Sequence, residues 1–136
     1  MQTIRSALAS DLPAVLKLWR EANAAPSHTD DLQSLAQLIE HDPEALVISE
    51  TDGRITGSVI AGWDGWRGSI YRLAVVPDHR RTGLGRRLLS EARRRLDERG
   101  AVRLQAIVVE SDEKATHFWR TTDWEEQVGR LRFVKG

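Results

Sequence analysis

A mixed α/β fold in one domain spanning residues 1–136, with a mixed α+β sheet, is predicted by three observations. Apolar residues recur at helical spacing in two early segments and again from Leu84 to Leu96. Short β-rich runs are joined by the hairpin signals Asp52-Gly53 and Asp64-Gly65. One strand–helix–strand crossover, from Ser69 to Val109, requires a parallel pair if both strands share a sheet.

Gln2 to Ser6 reads as a first strand, and Asp11 can cap a helix carrying Leu12, Val15, Leu16 and Trp19 on one face. The segment from Ala24 to Thr29, with Pro26 inside it, breaks that helix. Asp30 or Asp31 caps a second one, with Leu32, Leu35, Ala36 and Ile39 on its apolar face and Pro43 beyond its end. Ala45 to Glu50 and Ile55 to Trp63 form a hairpin, and Ser69 to Val76 is a further strand ending at Pro77. Leu84, Leu88, Leu89, Ala92 and Leu96 define a third helix that Gly100 terminates. Val102 to Val109 is an apolar strand. Asp112 caps a short helix containing Ala115, Phe118 and Trp119, and two short strands around Glu126 and from Leu131 to Val134 close the chain. The expected order is β-α-α-β-β-β-α-β-α-β-β.

Composition narrows the function classes. Apolar residues make up 40% and charged residues 29%, as in ordinary globular domains. With no cysteine there is neither a disulfide nor a thiolate metal site, and no metal is expected. No apolar run approaches a membrane span and no signal pattern opens the sequence, so a cytoplasmic protein is expected. Formal net charge is zero, which leaves no global attraction to nucleic acid or to a membrane. Basic charge is concentrated between Arg80 and Arg99, where Arg93 to Arg99 read as a solvated helix face.

The chemistry is concentrated in the loop between Val75 and Gly85. A buried strand ends, Pro77-Asp78-His79 follows, and a helix begins at the glycines. Backbone N–H groups in a helix's first turn have no partner within it, so they form an anion site aided by the helix dipole. Gly83 and Gly85 admit a phosphate close to the backbone, and Arg80, Arg81 and Arg86 add charge suited to a diphosphate. A Walker loop is excluded because no Gly-Lys-Ser/Thr follows. The dinucleotide fingerprint keeps Gly83 and Gly85 but finds Leu88 at its third glycine and no second βαβ half. The residues themselves support a phosphorylated ligand.

Arg80, Gly83 and Gly85, after Ala74-Val75-Val76-Pro77, resemble the cofactor loop of the GNAT superfamily of N-acetyltransferases, Arg/Gln-x-x-Gly-x-Gly/Ala after Val-x-Pro. A second block, Asp112-Glu113-Lys114-Ala115-Thr116-His117-Phe118-Trp119 with Asp123-Trp124, is similar to the family's Asn-x-x-Ala-x-x-Phe-Tyr and Gly-Phe. The element order matches over nearly the whole chain. The resemblance implies a central sheet splayed between the strand at Leu73 to Val76 and that at Val102 to Val109. It also implies acetyl-CoA as co-substrate, with pantetheine along Leu73, Ala74 and Val75 and the diphosphate on Arg81, Thr82, Gly83, Leu84, Gly85 and Arg86. Asp112, Phe118 and Trp119 would line the thiol end.

The implied reaction is acetyl transfer to a primary amine of a small molecule, or of a protein N-terminus or lysine, by direct attack on the thioester. A backbone N–H near Val75 can hold the thioester carbonyl. Glu110 is the first candidate base, ahead of His117 and His28. Trp119 stands where the family places a tyrosine acid, and an indole cannot donate a proton near neutral pH. Tyr71 lies roughly 13 Å before Val75 along a strand and is a poor substitute. Trp19, the loop from Ala24 to Asp31, and Asp64 are candidate contacts for a cationic acceptor. Two rivals stay open: a catalytically weak acyl-CoA-binding module, and a phosphate- or nucleotide-binding regulatory domain. Exposed edges of the C-terminal strands would allow a homodimer.

Overall fold

The computed structural model describes residues 1–22, 24 and 26–136. Those residues form two compact units, Met1–Ala106 and Ile107–Gly136. The first unit holds β1 (Gln2–Ser6), α1 (Leu12–Glu21), α2 (Leu32–His41), β2 (Leu46–Thr51), β3 (Arg54–Trp63), β4 (Gly68–Val75), α3 (Leu84–Glu98) and β5 (Leu104–Ala106). The second holds α4 (Glu113–Arg120). One open five-stranded sheet runs in the order β1-β2-β3-β4-β5. The pairs from β1 to β4 are antiparallel, and β4 with β5 is parallel across the α3 crossover, as expected.

Period-two alternation divides the first unit into two apolar layers. Leu46, Ile48, Ile60, Ala74 and Val76 cluster with Leu12, Val15, Leu18 and Trp19 of α1 and Leu35 of α2. On the opposite face Leu84, Leu88, Leu89, Ala92 and Leu96 bury the apolar stripe of α3. Full burial of one such leucine stabilises by about 1.5–3 kcal/mol. The close seating of α3 depends on Gly57, where a Cβ would lie 2.7 Å from Leu88 Cδ1 and 3.2 Å from the Ala74 carbonyl.

Several local readings change. Asp31 is the cap of α2, its Oδ1 accepting from Ser34 N at 2.7 Å, while Asp30 is engaged elsewhere. Asp11 does not cap α1; its carboxylate accepts from Leu8 N and from the Arg5 guanidinium, closing a short 3-10 turn at Ala9–Asp11. The strand expected from Val102 to Val109 shrinks to Leu104–Ala106, because Val102, Ile107 and Val109 point their apolar side chains into solvent. The two closing strands are not formed among the described residues; Val128, Leu131, Phe133 and Val134 are exposed, and no neighbouring strand completes a ladder for them. Ala25, within the expected helix break, lies outside the described residues.

The basic face of α3 is both a solvated face and a staple. Arg94 pairs with Glu91 and Glu98 along the helix. Arg95 reaches across to Ser6 Oγ at 2.7 Å and the Glu44 carbonyl at 2.9 Å, and Arg99 grips Asp42 with two 2.8 Å bonds. The Arg94 guanidinium, helped by Arg95 and opposed by partial burial, holds the Glu91 carboxyl down at about 2 from its ordinary 4.5. A carboxyl acidified by folding adds stability that is complete above its unfolded value and lost as pH falls through the folded one. Wild type should therefore be more stable than Glu91→Gln above pH 4.5, with the gap closing by pH 2. Paired thermal melts across that range measure it, and a gap that stays constant with pH would assign the linkage to another group.

Candidate active site

The site begins where β4 departs from regular pairing. Ser58 faces Ala74 and Ile60 faces Tyr71, so two steps along β3 oppose three along β4 and one residue is extra. Arg72 sits in this bulge at φ +51°, a left-handed conformation that costs a non-glycine residue about 1–3 kcal/mol. The bulge resets the alternation, so that Ala74 and Val76 turn into the α1 layer. On the other edge, the parallel ladder with β5 ends at Ile70 and Ala106. Ala74 and Val75 therefore pair with β3 on one side, Leu73 lies in the bulge beside them, and none of the three is paired with a β5 residue on the other side.

Beyond the strand, Val76 N donates to the Thr56 carbonyl at 2.9 Å and Pro77–His79 make one 3-10 turn. Thr82 Oγ1 donates to the His79 carbonyl at 2.7 Å. Arg54 bonds Asp78 at 2.9 Å and holds that exposed carboxyl below the usual range. Arg81 at φ +63° and Gly83 at φ +83° turn the chain into α3. Gly83 is the N-cap residue and supplies no side-chain cap, and a Cβ there would meet nothing within 4 Å. The first turn carries no acid, and the first helical bond runs from Arg87 N to the Gly83 carbonyl at 3.1 Å. The N–H groups of Leu84 and Gly85 thus precede any helical acceptor, beside the side chains of Arg86 and Arg87. Basic residues at a helix start oppose its dipole, and a bound anion would relieve that conflict.

Two expected groups have partners that the sequence reading did not anticipate. Arg80 Nη2 donates to the Ala22 carbonyl at 3.0 Å, at the C-terminal end of α1. Asp64 is a turn residue whose Oδ1 accepts from Trp66 N at 2.8 Å and Arg67 N at 2.6 Å; these backbone bonds lower its carboxyl below the ordinary value. Trp66 is exposed at the same hairpin with Arg67 stacked 4.1 Å above its ring. Tyr71 is half exposed at the start of the unpaired stretch, and His28 lies in an exposed turn.

In the second unit Asp112 caps α4 as expected, its Oδ1 accepting from Ala115 N at 3.0 Å. Trp119 packs edge-on between Phe118, at 5.8 Å, and Trp124, at 5.0 Å. Glu110 is exposed in a turn, beyond rather than at the end of β5, because that strand stops at Ala106. His117 is exposed on α4.

The sequence reading missed a buried polar chain behind the bulge. Trp19 Nε1 donates to Ser58 Oγ at 2.8 Å, and Ser58 Oγ donates to the Arg72 carbonyl at 2.8 Å. Arg72 in turn binds the Asp30 carboxylate through Nε, at 3.1 Å, and through Nη2, and its guanidinium lies 5.2 Å from the Trp19 ring centre. The residues were visible in sequence, but neither the extra β4 residue nor its left-handed backbone leaves a signal there. Among the described residues no acidic or histidine cluster could hold a metal, and no helix is long and apolar enough to cross a membrane.

Comparison with known proteins agrees with this geometry. A model of the acetyltransferase (GNAT) family matches residues 12–123. An acetyltransferase of Yersinia enterocolitica is 34% identical over 118 residues, covering 87% of this chain and 84% of that protein. The solved ribosomal-protein-S18-alanine N-acetyltransferase of Escherichia coli is 27% identical with a TM-score of 0.70, covering 88% of this chain and 75% of that one. A PaiA N-acetyltransferase of Thermoplasma acidophilum, solved in complex with coenzyme A, shares the fold at a TM-score of 0.76 and 15% identity, covering 88% of this chain and 87% of that one.

Gly85 offers a clean probe of the helix start. An aspartate in the first turn suits the helix dipole, so Gly85→Asp should fold normally while repelling an anion at the same N–H groups. Titration calorimetry should show acetyl-CoA affinity reduced at least about tenfold, since one charge repelled in a partly desolvated site amounts to 1.4 kcal/mol or more. Undiminished affinity would move the cofactor elsewhere.

Proposed function

Because the chain belongs to the acetyltransferase (GNAT) family, we propose that this acyl-CoA-dependent N-acyltransferase moves the acetyl group of acetyl-CoA directly to a primary amine. The observation that carries the reading is the uncapped, acid-free start of α3, one loop (Val76 to Gly83) after a strand whose last residues have no β5 partner among the described residues. Residues 12–123 of the family match include both features and run through both units, which supports one acyltransferase domain over 1–136.

In this reading the backbone of Leu73, Ala74 and Val75 binds the extended pantetheine as an added strand would, by main-chain hydrogen bonds. The N–H groups from Arg81 to Arg86 take the diphosphate, with Thr82, Gly83, Leu84 and Gly85 supplying close approach. A backbone N–H near Val75 polarises the thioester carbonyl and stabilises the oxyanion formed on attack. The incoming amine must be neutral, so an ammonium acceptor first gives up a proton to a base. Arg80 adds charge beside the diphosphate, and its Nη2 also donates to the Ala22 carbonyl at the end of α1. Glu110 is offered as the base on its place in the chain beyond β5, whereas the roles of Asp112, Phe118 and Trp119 at the thiol end rest on the sequence resemblance. The acceptor class is a small-molecule amine or a protein N-terminus or lysine.

Trp119 favours one alternative, a catalytically weak acyl-CoA-binding module. The indole stacks against two aromatic rings and has no acidic proton to give a departing thiolate. Coenzyme A release from acetyl-CoA with a mixed amine panel separates the two readings. An enzyme releases thiol only when an acceptor is present and accumulates the N-acetyl product; a binding module stabilises against heat with acetyl-CoA yet turns nothing over. Trp119→Tyr should raise kcat several-fold if thiolate departure is limiting, and an unchanged kcat would place the slow step elsewhere.

A further inference from the structure

We infer that Arg72 is a positioning residue that ties the α1–α2 connection to the β4 bulge and so governs how the acceptor amine meets the thioester; this rests on the acetyl-transfer reading above. Asp30 closes a turn of that connection, accepting from Ser27 N at 2.9 Å while its own N–H donates to the Ser27 carbonyl at 3.1 Å. The same carboxylate takes two donors from Arg72, and both side chains are largely buried, at 17% and 18% exposure. Burial matters here because a shielded, bidentate arginine–carboxylate pair fixes geometry in a way that an exposed pair does not. The Arg72 backbone is held independently by Ser58, whose hydroxyl is in turn oriented by Trp19 of α1. One residue therefore has its carbonyl fixed to β3 and its guanidinium fixed to the loop.

The position of Arg72 gives this fastening a consequence for the reaction. It immediately precedes Leu73, the first residue of the strip assigned to the pantetheine arm, and it follows the half-exposed Tyr71. The far end of the same connection is fastened too, by Arg80 on the Ala22 carbonyl. The α1–α2 connection is thus pinned at Ala22 from the cofactor loop and at Asp30 from the bulge. Those two arginines bracket the strip from Leu73 to Val75 along the chain. Any movement of Asp30 away from the bulge would loosen the wall beside that strip while leaving the α3 helix start, built from other residues, as it is.

The test separates side chain from backbone. Glycine accepts a positive φ, so Arg72→Gly suits the bulge backbone while removing the side chain, with both its fastening to Asp30 and its contact with Trp19. Three readouts apply to Arg72→Gly, Asp30→Asn and the double variant: hydrogen exchange of the amides at residues 27–31, acetyl-CoA affinity by calorimetry, and steady-state kinetics with the best amine of the panel. The expected result is amide exchange at 27–31 at least about tenfold faster, acetyl-CoA affinity within about twofold of wild type, and acceptor kcat/KM lowered about tenfold or more. The double variant should lose no more than either single one, because both cut the same link. Arg72→Lys, which keeps the charge but not the paired donors, should recover part of the loss. Unchanged exchange at 27–31 in Arg72→Gly, or additive losses in the double variant, would overturn the inference. The exchange arm needs no activity, so a wild-type protein that fails to bind acetyl-CoA would sink the functional reading and leave the fastening to be judged by exchange alone.

Discussion

The geometry of this protein depends on β4 being shared by two ladders of unequal length. Toward β3 it pairs from Gly68 to Val75; toward β5 it pairs only from Gly68 to Ile70. A strand with one satisfied edge and one unsatisfied edge exposes backbone donors and acceptors, which a folded protein covers or uses. Leu73 to Val75 are placed at that edge by the bulge at Arg72, and the chain runs from them within a few residues to the uncapped start of α3. An extended, hydrogen-bonding arm followed by an anion is the kind of ligand whose two ends match those two features in that order.

Charge is divided by location rather than by sequence. The arginines between Arg80 and Arg99 look like one basic run, yet they serve different purposes. Arg94 is consumed within α3 by Glu91 and Glu98, whereas Arg95 and Arg99 lock α3 to the loop before β2 through Glu44 and Asp42. Arg80 donates to a carbonyl at the end of α1. Arg86 and Arg87 lie in the first turn, at the positive end of the helix dipole, which favours an anion nearby. A net charge of zero therefore coexists with a local site of opposite character.

The sheet order, the helical faces and the helix start were legible because each follows from a local rule. Leu84, Leu88, Leu89, Ala92 and Leu96 keep their spacing and are buried; Asp31 and Asp112 cap as their types predict; Gly100 ends α3. What was not legible depends on partners. Val102 to Val109 and Leu131 to Val134 carry strand-like apolar runs, but a run forms a strand only where a neighbour supplies the other half of the ladder. Asp11 has the right type for a cap, yet the bidentate Arg5 of β1 outbids a helix N–H. The candidate site divides the same way. Gly83 and Gly85 announced themselves, whereas Arg72 looked like an ordinary strand residue because register is invisible in one sequence.

The position of Trp119 bears on how such a site can work at all. Transfer from a thioester needs help at two points, the carbonyl oxygen as it gains charge and the sulfur as it leaves. The first can come from a fixed backbone N–H, which requires no particular side chain but does require that the strand be held still. The second usually calls for an acid, and an indole packed between Phe118 and Trp124 supplies none. A thiolate is nevertheless a far better leaving group than an alkoxide, since its conjugate acid ionises near pH 8.5. With no tyrosine at that position, the demand on the protein falls on accurate placement of the amine and the carbonyl. A left-handed arginine, half-buried near tryptophan and fastened to aspartate beside the strip proposed to hold the thioester, is the kind of rigid support that such placement requires.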